Sequence, residues 1–199
     1  MKEMWEERFA KEEYVYGTEP NNFFKTEIDK LKPGKAFFVG DGEGRNSVYA
    51  AKLGWNIEAN DWSENAREKA LVLAEKNKVS INYHIVDFEN LTLDKNSYDL
   101  IVFIFIHVES EFREKLHKMA ADALLPGGRI ILEAYDKDQL NYSSGGPKNP
   151  DLLYSLEEIY TDFSDLGIIS FSKEIIHLKE SALHVGDASV IRYVGIKEE

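Results

Sequence analysis

Residues 37–46 read FFVGDGEGRN, with Gly40, Gly42 and Gly44 interleaved with the acids Asp41 and Glu43. An apolar run enters this stretch and a helix-like segment, SVYAAKLG, leaves it. Strand, glycine turn, helix is an arrangement in which a ligand approaches bare backbone closely and faces a helix N-terminus. The spacing is not that of the dinucleotide fingerprint G-x-G-x-x-G, because Arg45 stands at its sixth position. A pyrophosphate would also sit poorly beside Asp41 and Glu43. The local charge favours a ligand with a positive group and no phosphate. An ordinary tight strand–helix turn is the plainer alternative for these glycines.

Outward from this stretch the chain alternates. AFFVG, WNIEAND, INYHIVD, YDLIVFIFIH and GGRIILEAY read as strands. RNSVYAAKLG, SENAREKALVLAEKN with Ser63 as N-cap, and ESEFREKLHKMAADALL read as helices between them. A charged helix over about residues 2–14, a short one over 22–31 and another over 155–165 complete the helical set. Near the C-terminus IISFSKEIIHLKE and ASVIRYVGIK are separated only by SALHVGD, so they must run antiparallel. The expected fold is α/β: a Rossmann-like, doubly wound, mostly parallel sheet with an antiparallel C-terminal strand pair. The expectation is one domain over residues 1–199, with residues 1–31 a helical lead.

Composition narrows the function. The chain of 199 residues has a net charge of −12, which argues against a nucleic-acid surface. It contains no cysteine, which removes disulfides, thiol nucleophiles and thiolate metal sites. The histidines show no metal spacing; His84 and His177 fall in predicted strands and His117 on a polar helix face. The N-terminus is too charged for a signal peptide, and LIVFIFIHV is too short to cross a bilayer. The expectation is a cytoplasmic protein with a small-molecule partner, no nucleic acid, no membrane and no metal, as a monomer or homodimer.

The ends of the next two strands sharpen the ligand. Asp61 closes the second, where a carboxylate accepts hydrogen bonds from both ribose hydroxyls; a helix-capping role beside Ser63 is the alternative. Asp87 and Phe88 close the third, where an acid accepts from an exocyclic amine and a ring faces a flat base; a solvated strand end is the alternative. An amine, a ribose and adenine together describe S-adenosylmethionine.

GDGEGRNSVYAAKLGWNIEANDWSENAREKA resembles the cofactor-binding half of class I S-adenosylmethionine-dependent methyltransferases. WEERFAKEEYVYGTEPNNFF, LLPGGRIILEAY and SSGGPKNPDLLYSLEEI are similar to segments of their tellurite-resistance and thiopurine methyltransferase-like group. The resemblance implies a lid over residues 1–31 that closes on the cofactor. The expected cofactor contacts are Tyr16, Gly40, Asp41, Gly42, Gly44, Arg45, Asn46, Asp61, Trp62, Asp87, Phe88 and Phe105. Of these, Arg45 or Asn46 is the candidate for the methionine carboxylate, with helix capping or pairing to nearby acids as the alternative. Many relatives carry an acid two residues before the first glycine; here Phe38 stands there, and Asp41, Glu43 or a water network inherits its role.

Tyr14, Tyr135, Gln139, Gly145 and Gly146 are expected on the acceptor side, the last three in the long irregular segment after the GGRIILEAY strand. His107 is either a general base or a satisfied structural residue. The expected function is transfer of the methyl group of S-adenosylmethionine, yielding S-adenosylhomocysteine, to a small acceptor such as a thiol, selenol or tellurium oxyanion product. A non-catalytic S-adenosylmethionine binder and a nicotinamide-dependent oxidoreductase are the competing readings. The acceptor is not written in the sequence.

Overall fold

The computed structural model describes residues 2–181 and 184–198. The chain divides into two compact units, Met1–Leu91 with Glu180–Leu183, and Thr92–Lys179 with His184–Glu199.

Unit one contains α1 (Lys2–Phe9), α2 (Asn22–Ile28), β1 (Lys35–Val39), α3 (Arg45–Lys52), β2 (Asn56–Asp61), α4 (Glu64–Lys76) and β3 (Asn82–Ile85). Its strands lie in the order β3-β2-β1 and all pair in parallel, with Phe38 opposite Ala59 and Asp61 opposite Ile85. The apolar run of β1 predicts burial on both faces, and Ala36, Phe37, Phe38 and Val39 are all buried. Phe38 meets Phe24 of α2 edge-to-face, with ring centroids 5.5 Å apart. Each such ring contributes about 1.5–3 kcal/mol by leaving water.

The Ser63 hydroxyl accepts from the Ala66 amide at 3.0 Å and caps α4. The start of α3 has no side-chain cap; its N-cap is Gly44 at φ 85°. A Cβ on Gly44 would lie 2.7 Å from the Cβ of Ala70. The third glycine of the motif therefore lets α3 and α4 close on each other. The first helix stops at Phe9 rather than near Tyr14, because the carbonyls of Lys11 and Glu13 turn instead to the Lys69 ammonium.

Unit two contains β4 (Tyr98–Ile104), α5 (Ser110–Ala123), β5 (Leu124–Tyr135), α6 (Leu156–Asp162), β6 (Gly167–Ser181) and β7 (His184–Ile196). The order is β4-β5-β7-β6. β4 and β5 are parallel, while β5 and β7 are antiparallel from Arg129 opposite Ile196 to Tyr135 opposite Val190. Together the parallel strands of unit one and the mixed strands of unit two make the fold α/β and mostly parallel, with antiparallel C-terminal strands, as expected. The expected connection SALHVGD is shorter than read, since β7 already begins at His184; residues 182–183 lie outside the described residues.

Two features of unit two correct the sequence reading. His117 is not on a polar helix face. It is 1% exposed, and its Nδ1 sits 2.7 Å from Asp162 Oδ2. Arg113 and His117, one turn apart, both reach that carboxylate, so the pair is buried together with Leu116 and Ala120. The segment after β5 is also less irregular than its sequence suggests. It holds two short 3-10 turns, Lys137–Asn141 and Pro150–Leu152, and Ser155 and Glu158 close a capping box on α6.

Candidate functional site

In unit one the glycine motif forms the turn from β1 to α3. Gly40, Gly42 and Gly44 have φ of 59°, 59° and 85°, a region that costs side-chain-bearing residues energy. The turn is tied to the end of β2 from three directions. The Gly40 amide donates to Asn60 Oδ1 at 3.3 Å, the Asp41 amide to the Asn60 carbonyl at 2.9 Å, and the Gly42 amide to Asp61 Oδ2 at 3.2 Å. The other oxygen of Asp61 accepts from the Ser63 amide at 3.0 Å. Burial pushes the Asp61 carboxyl up to about 6, and the hydrogen bonds from Ser63 and Gly42 hold it from rising further.

Asp41 differs from its neighbours. Its Oδ2 is enclosed and accepts no hydrogen bond from any described residue. Burial raises its carboxyl to about 7, against the pull of the Ser47 hydrogen bonds, and the nearby Asp61 charge adds to the rise. Glu43 is engaged differently. Its Oε2 accepts from the amides of Val15 at 2.7 Å and Tyr16 at 3.4 Å, and its Oε1 pairs with Lys69. Of the two acids inside the motif, Asp41 alone holds an unpartnered buried oxygen.

Arg45 and Asn46 open α3, and both are buried. The Arg45 guanidinium donates to Glu180 Oε2 at 2.8 Å and to the Tyr16 carbonyl at 3.2 Å. Asn46 caps nothing; its Oδ1 accepts from the Asn21 amide at 2.9 Å. The hydroxyl of Tyr16 accepts from Arg8 at 3.0 Å, and that of Tyr14 donates to the Lys69 carbonyl at 2.9 Å. At the ends of β2 and β3, Trp62 and Phe88 stack with centroids 6.2 Å apart. Asp87 Oδ1 accepts from the Asn90 amide at 2.9 Å, closing a turn.

A family model described as tellurite resistance protein TehB matches residues 4–192. The chain belongs to the TehB family. It is 29% identical over 108 residues to the ubiquinone biosynthesis O-methyltransferase of Coxiella burnetii, a match covering 54% of this chain and 46% of that protein. This TehB-family chain thus spans about half the length of the curated relatives it matches. The solved structure of TehB from Haemophilus influenzae superposes with a TM-score of 0.74 at 19% identity, covering 89% of this chain and 62% of that one. An S-adenosylmethionine-dependent methyltransferase from Clostridium acetobutylicum superposes with a TM-score of 0.67 at 14% identity, covering 89% and 90%. These likenesses show the class I methyltransferase fold.

Unit two of this TehB-family chain brings Phe105, His107 and Tyr135 into one aromatic cluster. Tyr135 stacks on Phe105 at 4.6 Å and on His107 at 5.5 Å between centroids. Phe105, just past β4, holds φ 55°, a backbone strain for a bulky residue. Both nitrogens of His107 are engaged by backbone. Nδ1 is 2.7 Å from the Leu152 carbonyl, and Nε2 accepts from the Tyr135 amide at 3.2 Å. The carbonyl fixes the proton on Nδ1. Burial lowers the imidazole to about 4, with the Leu152 bond opposing. This geometry favours the structural of its two readings.

Gln139 is spent in the same way. Its Nε2 donates to Ser144 Oγ and the Gly145 carbonyl, each at 3.0 Å, and its Oε1 accepts from the Ser189 amide at 2.9 Å. Gly146 lies flat on the Tyr135 ring, where a Cβ would come within 2.9 Å. Among the described residues no group of three or more His, Asp or Glu is placed to hold a metal ion, and no helix is long and apolar enough to cross a membrane.

Sequence reading missed Asn60, Lys69, Tyr83 and Glu180. The Tyr83 hydroxyl donates to the Gly42 carbonyl at 2.6 Å and braces the turn from β3. The period-2 pattern of β3, which buries Tyr83 alone among its four residues, was the available signal.

Proposed function

We propose that this chain is an S-adenosylmethionine-dependent methyltransferase acting on a small-molecule acceptor. The observation that carries the reading is the enclosed, unpartnered Oδ2 of Asp41 beside three glycines with left-handed backbone. A buried carboxylate oxygen without a partner is costly and calls for a cationic one. The donor's ammonium and sulfonium are cations, whereas a phosphate would meet Asp41, Glu43 and Asp61 together.

The residues fit such a donor. Asp41 takes the ammonium, and so inherits the role of the acid absent at Phe38. The bare backbone at Gly40 and Gly42 admits close approach. Asp61 keeps lone pairs for ribose hydroxyls beyond the Gly42 and Ser63 amides, and Trp62, Asp87 and Phe88 stand at the strand ends expected to border adenine. Tyr16 and the first turn of α3, with Arg45 and Asn46, border the amino-acid end. When bound, the sulfonium supplies a methyl group already activated for displacement. The protein's task is alignment, which in favourable cases supplies roughly 7–11 kcal/mol of a barrier.

The state of His107 bears on the acceptor class. With its Nδ1 proton directed at a carbonyl and its Nε2 lone pair at an amide, it has little left to abstract a proton. That supports a soft acceptor already anionic or lone-pair-rich, such as a thiol, a selenol or a reduced tellurium species. Tyr135, Gly145 and Gly146 remain the candidates on the acceptor side, Tyr14 is a candidate through its ring, and Phe105 remains a candidate cofactor contact. Titration calorimetry with S-adenosylmethionine and S-adenosylhomocysteine, followed by assay of S-adenosylhomocysteine release across thiols, selenite, tellurite and phenols, tests the reading. No binding of either nucleoside overturns it, and binding without turnover of any acceptor leaves the non-catalytic binder.

A further inference from the structure

We propose that Lys69 and Glu43 form a latch that holds residues 11–16 against the glycine turn and thereby sets how long the donor stays bound; this rests on the donor site proposed above. The N-terminal segment between α1 and α2 has no regular structure over residues 10–21, so its polar backbone must find partners elsewhere. It finds them on two side chains. Lys69 Nζ donates to the Lys11 carbonyl at 2.8 Å, to the Glu13 carbonyl at 2.6 Å and to Glu43 Oε1. That accounts for all three of its protons. Glu43 Oε2 receives the Val15 and Tyr16 amides.

Further contacts repeat the link. The Tyr14 hydroxyl donates to the Lys69 carbonyl, and the Lys69 ammonium lies 5.1 Å from the Tyr14 ring centroid. Arg45 donates to the Tyr16 carbonyl. On the other side, the Phe9 ring sits where a Cβ on Gly42 would be 3.4 Å away. The segment is thus pinned to Glu43 and Arg45 of the turn and to one position on α4, while Phe9 of α1 covers Gly42.

The charges themselves point to positioning rather than stability. The Lys69 side chain is 16% exposed and that of Glu43 3%. A buried ion pair returns little net stability over an apolar pair of similar volume. What it does impose is geometry, since ammonium and carboxylate each accept only the backbone groups of complementary sign. Opening the segment breaks several charge-assisted bonds together, so the segment is either down or released. Lys69 and Glu43 are positioning residues; neither is assigned contact with a reacting atom.

The test compares wild type, Lys69→Met, Lys69→Arg and Glu43→Gln by amide hydrogen exchange and by S-adenosylhomocysteine dissociation kinetics. Lys69→Met should accelerate exchange over residues 11–16 while leaving β1 and β2 unchanged. It should raise the dissociation rate about tenfold, the effect of losing roughly one charge-assisted hydrogen bond. Lys69→Arg should recover most of that loss, because it keeps a charged multiple donor. If Lys69→Met does not fold, Glu43→Gln replaces it: the amide oxygen still accepts from the segment while the charge on Lys69 goes unmet.

Unchanged exchange over 11–16 overturns the latch. Faster exchange with a dissociation rate within about twofold of wild type, less than RT in free energy, overturns its control of the donor. If wild type binds no S-adenosylhomocysteine, it is the donor site that fails, and exchange in the free protein still decides whether the latch exists.

Discussion

The carboxylate of Asp61 accepts a hydrogen bond from the amide of Gly42 at 3.2 Å. Its second oxygen takes the Ser63 amide, so one side chain joins the glycine turn, the end of β2 and the start of α4. Both partners are donors, which only a carboxylate satisfies at both ends. Asp61→Asn must aim its NH2 at one of these amides. It should cost roughly 1–3 kcal/mol in urea unfolding and weaken donor binding in calorimetry. Wild-type values for both would refute the tie.

Asp41 should make donor binding depend on pH. Its folded carboxyl is raised to about 7 from 3.8, so at neutral pH the free protein is divided between protonated and ionised Asp41, and a cationic ligand displaces the proton from the former. Affinity for S-adenosylmethionine should rise as pH increases from about 6 to about 8, with proton release seen as buffer-dependent binding heat near pH 7. The sign for stability is opposite. The folded state holds this proton more tightly than the unfolded chain, so the Asp41 contribution falls as pH rises from about 4 to 7. Asp41→Asn should therefore be more stable than wild type at pH 8 by roughly 1–3 kcal/mol, the gap closing toward pH 4. A pH-independent gap would show that this carboxyl is not raised.

Gly44 makes a prediction that separates backbone strain from crowding. Gly44→Ala places a Cβ 2.7 Å from that of Ala70 at φ 85°, and should lose about 2–4 kcal/mol. Adding Ala70→Gly removes the Cβ contact but neither the 2.9 Å approach to the Ala70 Cα nor the strain, so the double variant should regain part of the loss against the sum of the singles. Simple additivity in a thermodynamic cycle would mean that the contact with the Ala70 Cβ contributes nothing.

His107 should behave as a structural residue. His107→Ala strands the Leu152 carbonyl and the Tyr135 amide, and should destabilise by about 2–4 kcal/mol. Because burial lowers the imidazole to about 4, it stays neutral through the neutral range, and the pH–rate profile of methyl transfer should show no inflection that disappears in the variant. A variant that folds as wild type yet loses the acid-side limb of the profile would restore the general-base role.

Much of the architecture was readable before any coordinates. The alternation of apolar runs with 3.6-period segments marked the strands and central helices, since both patterns are set within a few residues. The bare turn at 40–44 and the acid closing β2 were readable for the same reason. His117 was misread because Arg113, Leu116, His117 and Ala120 keep the spacing of a buried stripe while two of the four are polar. Only Asp162, supplied by α6, makes that stripe apolar in effect.

The sequence by itself determined the α/β order, the left-handed glycine turn and the ring of acids around it, because backbone freedom, periodicity and charge are local properties. Tertiary structure decided which acid is spent and which is left. Glu43 is consumed by Lys69 and by amides 27 and 28 residues away, Arg45 by a carboxylate 135 residues on, while Asp41 Oδ2 keeps no partner. Hydrogen bonds across such separations depend on where the packed elements place each atom, and no spacing in the chain encodes that.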